Sequence, residues 1–463
     1  MHLKDKNFTK GFLAGALVCT LTAGGLAMTG CLGGKGNAAS SSGESAASVS
    51  QAGESESSGT STSTIDGVDI TGDSEEINGK IKKIQSVLDK YYIGNGEDVS
   101  KEDLEEGIYK GYVESLGEPY TVYYTKKEYD QLMESTSGQY SGIGVIVSQN
   151  TTTGAVTVVR PFEGSPGAEA GILKDDIIYK VDGKEATGAD LNEVVSWIKG
   201  KEGTTVEIEV YRSSDNQYHT LKVKRRQIDV PMVDHQMLDD KIGYVALYEF
   251  ESTTADQFDK AVDDLTAQGM KGLVIDLRDN PGGLIDSAQA VLDRILPKDK
   301  LLVYTVDKAG KKEELDSQDD EKVDVPITVL VNGNSASASE IVSGCLQDYG
   351  KAKLVGTTTY GKGIVQYVLP LGDGSAVKVT GAKYYTPKGR NIHGTGIEPD
   401  VKAEARISTG SKASSAASGS VTDESESSAS SSGDRYGGQT ITDPSSDSQL
   451  QKGLDVLKDQ IDQ

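Results

Sequence analysis

The spacing of apolar positions changes character along the chain, and each change predicts a different kind of element. Ile77, Ile81, Ile84, Val87, Leu88 and Tyr91 recur at helical spacing, as do Leu104, Ile108 and Tyr112, so residues 75–137 are predicted to be a helical region. Residues 138–227 carry short β-rich runs around one helical stretch, Leu191–Ile198, and its Trp197 is read as a core residue. From 228 to 405 strand runs such as Val329-Leu330-Val331 alternate with helical periodicity, which predicts a layered α/β core. Leu450, Leu454, Val456, Leu457 and Ile461 fall again at helical spacing, so residues 442–463 are predicted to hold an amphipathic helix. Its apolar face needs a partner, and the folded body can supply one.

Two stretches lack any such pattern. Residues 32–74 and 406–441 are Ser, Gly, Ala, Thr and Glu with almost no large apolar side chain. They cannot bury enough surface to offset their ordering entropy, so they are predicted to be a disordered tether and a disordered linker. At the start, Lys4, Lys6 and Lys10 precede a mostly apolar run, Gly11–Met28, and then Thr29-Gly30-Cys31. A basic flank followed by an apolar run marks residues 1–31 as an export signal. The small residues before Cys31 resemble a bacterial lipoprotein processing site, which implies lipidation of Cys31, although Met28 stands where Leu is more usual. An uncleaved anchor and complete release are the alternatives. The first two readings leave the rest of the chain outside the membrane yet attached to it, in the bacterial cell envelope.

Composition narrows the classes. At 463 residues the chain is long enough for about three structural units. Lys plus Arg number 47 against 71 Asp plus Glu, a formal net charge of −24, which argues against nucleic-acid binding and against a basic footing on anionic lipid. Only 36% of residues are hydrophobic, below the about 45–50% (Gly included) of folded domains, as two unpatterned tracts would produce. Three cysteines exclude a disulfide framework and a four-cysteine metal cluster.

In the middle unit, Ser141-Gly142-Ile143-Gly144 leads directly into Val145-Ile146-Val147. Glycines before a strand let successive N–H groups converge on one point, a nest that suits a carboxylate, and the strand offers an edge to an extended peptide. Further on come Gly164-Ser165-Pro166-Gly167-Ala168-Glu169-Ala170-Gly171-Ile172 and Asp176-Ile177-Ile178-Tyr179-Lys180-Val181-Asp182-Gly183. Together these runs resemble a PDZ domain. Asp175 departs from the pattern, which usually has Gly there, and a local change of turn is expected.

The last unit carries candidate chemistry. After Val329-Leu330-Val331-Asn332 the chain reads Gly333-Asn334-Ser335-Ala336-Ser337-Ala338-Ser339-Glu340-Ile341, a strand-to-helix junction of small residues. Such a junction exposes N–H groups and leaves a side chain uncrowded, as a nucleophile at a helix N-terminus requires. Ser335, Ser337 and Ser339 compete for that role, the outer two being equally able to cap the helix. Histidine bases are scarce: His2 lies in the export signal, His219 in the middle unit, His235 before the core and His393 in a Gly-flanked loop. No Gly-x-Ser-x-Gly occurs. Lysine is the other base available to serine, provided burial lowers its pKa. Lys362, between glycines in Tyr360-Gly361-Lys362-Gly363-Ile364 and with few carboxylates near it in sequence, is the candidate. Cys345 is read as a buried structural thiol.

Asn334–Glu340, Gly361-Lys362-Gly363 and Asp276-Leu277-Arg278-Asp279-Asn280-Pro281-Gly282-Gly283 together resemble the carboxy-terminal processing (tail-specific) peptidases, over roughly residues 75 to 405. The resemblance implies an N-terminal helical region, a PDZ domain and a Ser-Lys peptidase core of the crotonase-like layered type. It implies Ser337 as nucleophile, Lys362 as base, and Gln366, four residues past the lysine, as the group orienting it. Positions an even number apart on a strand share a face, so Lys362 and Gln366 are expected to point together. The N–H groups of Gly283 and Ala338 are the implied oxyanion hole, and Ser141, Gly142, Ile143 and Gly144 the implied carboxylate loop. Arg278 and Asp279 are read as turn-stabilising, and Glu340 as a stabiliser of the helix N-terminus. Neither a metal nor an organic cofactor is implied. The expected partners are protein or peptide substrates with accessible apolar C-termini, a second copy through the N-terminal helices, and an adaptor protein. The competing readings are a non-catalytic tail-binding scaffold and a hydrolase of small esters.

Overall fold

The computed structural model describes residues 73–94, 99–319, 323–404 and 447–462. The export signal with Cys31, nearly all of the predicted tether and the linker 406–441 lie outside the described residues. Among the described residues, no helix is long and apolar enough to cross a membrane.

The described residues up to Tyr112 form one unit and those from Val113 onward another. In the first, the helix Ser74–Tyr91 carries Glu75 and Glu76 in its first turn and Lys90 in its last, which complements the helix dipole. It buries none of its residues, and Ile84, Val87, Leu88 and Tyr91 are exposed. The helix Lys101–Glu114 starts where Ser100 and Asp103 exchange hydrogen bonds between side chain and backbone.

In the second unit a six-stranded sheet forms the core. Val233–Met237 runs antiparallel to Ile242–Leu247, which is followed in parallel by Gly272–Asp276, Ile327–Val331, Ala352–Gly356 and Val401–Lys402. The central strands are buried along their whole length because both faces are covered. Val245, Leu247 and Ile275 pack into the larger cluster, with residues of the helices Thr254–Ala267, Ile285–Asp293 and Ala338–Tyr349. Tyr244, Ala246 and Val274 pack in a second cluster with Leu450, Leu454 and Leu457 of the C-terminal helix Ser448–Ile461. The alternation of faces along each strand separates the two clusters. Arg278 grips Asp276 and reaches Asp447, the residue that caps this last helix, at 2.8 Å. The predicted amphipathic helix thus covers one face of the core sheet.

A second sheet joins Val122–Tyr124, Ala376–Tyr385, Leu301–Asp307 and Lys312–Asp316, with Ile364–Pro370 also paired to Ala376–Tyr385. The region 75–137 thus holds one short strand beside its helices. Helical periodicity cannot report a three-residue strand whose partner lies some 250 positions away, yet Val122–Tyr124 is an edge of the core. The helix Lys126–Thr136 then leads on to the next domain, behind a Thr125–Glu128 capping box.

The sheet of the middle unit runs Val145–Gln149, Val156–Pro161, Ile177–Val181, Thr205–Arg212 and Gln217–Lys224 in order, as the PDZ resemblance implies. A two-stranded ribbon, Gln139–Gly142 with Arg226–Asp229, ties its two ends together. Asp175 adopts φ 68°, the left-handed turn that glycine usually supplies. Asp176 accepts from the Leu173 N–H and pairs with Arg212. Trp197 packs against the domain's apolar cluster.

Candidate active site

The strand Ile327–Val331 and the helix Ala338–Tyr349 are joined by the serine-rich junction, and the structure gives its three hydroxyls different surroundings. Ser335 Oγ donates to the Leu277 carbonyl at 2.7 Å and accepts from the Asn332 N–H. Ser339 Oγ donates to the Asn280 carbonyl at 3.0 Å. Both outer serines therefore stitch the junction to the 277–283 turn. Ser337 sits between them at the helix N-terminus with φ 54° and ψ −116°, a conformation a non-glycine residue keeps only when its surroundings enforce it.

The enforcement comes largely from Glu340. Its carboxylate has no solvent exposure and accepts four donors. Oε2 takes the N–H of Ser337 at 3.0 Å and the N–H of Lys362 at 2.8 Å. Oε1 takes the N–H of Gly361 at 2.8 Å and the Thr359 hydroxyl, whose oxygen in turn accepts the Ile397 N–H. One oxygen thus holds the backbones of Ser337 and Lys362 with their nitrogens no more than about 6 Å apart, two hydrogen-bond lengths. Burial raises the Glu340 pKa, while the hydrogen bonds to Thr359, Lys362, Gly361 and Ser337 oppose that rise. The expected helix-stabilising role of Glu340 is only part of what this side chain does.

Lys362 is 2% exposed, and its Nζ lies 4.5 Å from the centre of the Tyr120 ring. Burial, with the nearby Lys378 second, brings its pKa down to about 8, against an opposing pull from Glu118 and Glu340. Two carboxylates remote in sequence thus face a lysine whose sequence neighbourhood has few. Lys378, 3% exposed, is itself lowered by burial. Glu118 accepts from the Thr121 hydroxyl at 2.6 Å, the Tyr120 N–H at 3.1 Å and the Thr380 hydroxyl at 3.0 Å. The flanking glycines of Lys362 have a packing reason. A Cβ on Gly361 would lie 2.8 Å from the Gly396 nitrogen, and one on Gly363 would lie 2.6 Å from that of His393. His393 meets the site through its backbone here.

Gln366 is also 2% exposed, and its Nε2 donates to Thr380 Oγ1 at 3.3 Å, which connects it to Glu118. Lys362 lies just outside the strand that carries Gln366. The strand starts only at Ile364, and its register with Ala376–Tyr385 shifts between Val365 and Gln366. A bulge resets the alternation, so even spacing decides nothing here.

The turn after Gly272–Asp276 supplies donors. Asn280 is fully buried. Its Nδ2 donates to the Leu247 carbonyl, its Oδ1 accepts the Gly282 N–H at 2.8 Å, and its carbonyl accepts the Ala336 N–H. A Cβ on Gly282 (φ 107°) would lie 2.7 Å from Ser337 Cβ and 2.9 Å from the Ala338 nitrogen, so the turn can sit against the serine only as glycine. Gly283 is bridged to Phe250. Among the described residues, the N–H groups of Gly283 and Ala338 have no protein acceptor. The sequence pointed to Gly283 but not to the close contact of Gly282. It offered no signal for Glu118, Tyr120, Thr380 or Lys378, because each is far from the motifs along the chain.

Beside the Ser141–Gly144 loop a groove of about 120 Å³ is lined by Ile143, by the strand Val145–Gln149, by the helix Leu191–Ile198 and by residues outside them that include Glu134, Tyr140 and Met232. The Ile143 carbonyl accepts the Gly167 N–H at 2.7 Å, Gly144 has φ 70°, and Ser141 Oγ is buried with no partner among the described residues. Val147, Val195 and Ile198 make the groove wall apolar.

Comparison with known proteins adds the following. The family model for peptidase family S41 matches residues 241–403, and that for a PDZ domain matches residues 157–212. The chain is 38% identical over 336 residues to the carboxy-terminal processing protease CtpA of Bacillus subtilis, covering 72% of this chain and 70% of that protein. It is 35% identical over 325 residues to CtpB of the same organism, covering 70% and 67%. Among solved structures, the photosystem II D1 C-terminal processing protease is similar at 29% identity and a TM-score of 0.40, over 67% of this chain and 84% of that one.

Proposed function

Since this chain belongs to the carboxy-terminal processing proteases of peptidase family S41, we propose that it is a serine endopeptidase working through a Ser337–Lys362 dyad. The observation that carries the proposal is the single oxygen of Glu340 that accepts both the Ser337 and the Lys362 N–H. Lys362 is the base. With a pKa of about 8, a minor but useful fraction of its amine is neutral at pH 7, and that fraction grows as the pH rises through 8.

The neutral Nζ takes the Ser337 hydroxyl proton while Oγ bonds to the carbonyl carbon of the scissile peptide. The carbonyl electron pair moves onto oxygen, which the Gly283 and Ala338 N–H groups receive. A fixed donor of this kind lowers the barrier by about 2.7–4 kcal/mol. The Lys362 ammonium returns the proton to the leaving amine, the peptide bond breaks, and an acyl-serine remains. Water, deprotonated by Lys362, then releases the acid and restores the hydroxyl. Gln366 orients the lysine from its place beside Thr380. No step calls for a metal or an organic cofactor.

Substrates are selected by the free C-terminus: the tail pairs along Val145–Gln149, with its carboxylate at the Ser141–Gly144 loop and its apolar side chains against Val195 and Ile198. Occupancy of this groove also favours the assembled active site. The exposed apolar stripe of Ser74–Tyr91 supports pairing with a second copy, and an adaptor is a further expected partner. The working place is outside the cytoplasm and attached to the membrane of a bacterial envelope.

The test uses the full chain, a peptide with a free C-terminus and its amidated twin. The free acid is cleaved faster, and Ser337→Ala abolishes cleavage. Equal cleavage of both peptides removes tail selection. Loss of activity in Ser335→Ala or Ser339→Ala, with Ser337→Ala still active, removes the nucleophile assignment. Tail binding with no cleavage in the wild-type chain returns the scaffold reading.

A further inference from the structure

The Gly142–Val145 loop lies beneath the Tyr140 ring. Its Ile143 carbonyl is held by the Gly167 N–H and its Gly144 carbonyl by the Phe162 N–H at 2.9 Å. In a trans peptide the N–H points opposite to the carbonyl, so the Gly144 and Val145 N–H groups are aimed away from those partners. They are aimed toward Tyr140. Its ring folds back over the loop, and a Cβ on Gly142 would lie 2.7 Å from Tyr140 Cε2 and 3.0 Å from Cδ2. Burial pushes the phenol pKa up, and the Gly144 and Val145 N–H groups that face its oxygen pull the other way. The phenol therefore stays a neutral hydroxyl. Lys199 completes the arrangement, with Nζ 4.9 Å from the Tyr140 ring centre and its charge paired to Glu134. Glu134, Tyr140 and Lys199 all line the groove.

We propose that the Tyr140 hydroxyl occupies the seat of the substrate's terminal carboxylate, and that a tail enters by displacing it and drawing Lys199 away from Glu134. The inference rests on the tail-selecting function proposed above and names how that selection is made. A carboxylate offers two charged acceptors where the phenol offers one neutral oxygen, and charge-assisted hydrogen bonds are about twice as strong. A carboxylate can thus replace Tyr140, whereas an amidated terminus gains too little to do so. The closed seat lowers the apparent affinity for every ligand by the fraction of molecules that are open.

The experiment uses the full chain carrying Ser337→Ala, to prevent turnover. Fluorescence anisotropy follows an N-terminally fluorescein-labelled octapeptide ending Ala-Leu-Val as the free acid, and its amidated twin. Tyr140→Phe keeps the ring packed beside Ile146, Phe162, Ile228 and Met232 and removes only the hydroxyl. It tightens binding of the free acid roughly three- to tenfold, the value of one net hydrogen bond. Glu134→Gln also tightens it by freeing Lys199, and Lys199→Met erases the preference for acid over amide. Unchanged or weaker free-acid binding in both Tyr140→Phe and Glu134→Gln, with the wild-type preference intact, overturns this inference and leaves tail selection standing. A parent chain that binds acid and amide alike overturns tail selection, and the inference with it.

Discussion

Around Ser337 and around the PDZ loop the same resource, a set of backbone N–H groups at a small-residue turn, is handled in opposite ways. At the serine, Glu340 fixes three N–H groups and a hydroxyl on one buried carboxylate, and Asn280 fixes the adjoining turn from within. At the PDZ loop, the donors face a neutral tyrosine hydroxyl backed by a partly exposed Lys199–Glu134 pair. The difference fits the two tasks proposed for these sites. Stabilising a developing charge requires donors that need no reorganisation at the moment of reaction. Recognition requires a partner that can be exchanged for the ligand.

The contrast breaks most severely at Glu340. Glu340→Ala leaves buried donors without an acceptor and unties the Lys362 loop from the Ser337 junction, so peptidase activity is lost. Stability falls by about 3–5 kcal/mol, read from the urea midpoint of the core transition. A Glu340→Ala chain that melts and cleaves like the parent contradicts the hub role. Binding of the free-acid octapeptide to the PDZ groove is retained, because the hub and the groove use separate donors.

Lys378→Met is the next largest effect and sharpens the electrostatic side. After burial, the positive charge of Lys378 is the second cause that brings the Lys362 pKa from its ordinary value near 10.5 down to about 8. Removing it lets that pKa rise, so less neutral amine is present at pH 7. Activity there falls several-fold, the acid limb of the pH–rate profile moves to higher pH, and the two chains converge at alkaline pH. An unmoved limb denies Lys378 this role. The smallest effect lies in the PDZ domain. Asp175→Gly relieves a left-handed residue and stabilises the domain by up to about 1 kcal/mol in a thermal melt, with no change in the preference for acid over amide. A lower melting temperature denies the strain.

The sequence by itself determined the local elements and the order in which they appear. Val329-Leu330-Val331 reads as a buried strand, Leu450, Leu454 and Leu457 as one face of a helix, and the Ser335–Ser339 run as a strand-to-helix junction, because each pattern is set by neighbours a few positions apart. Local pattern left three serines in competition, and only the family resemblance singled out Ser337, with Lys362 and Gln366 beside it. Tertiary structure decided the rest: the outer hydroxyls go to carbonyls nearly 60 positions away, Val122–Tyr124 joins a core sheet, and a bulge sets Gln366. It also brings Glu118 and Lys378 to bear on Lys362 and Tyr140 over its own loop. The physical reason is one of range. Periodicity records which side of an element is apolar, whereas burial, charge and hydrogen-bond partners depend on which segments the folded chain sets side by side.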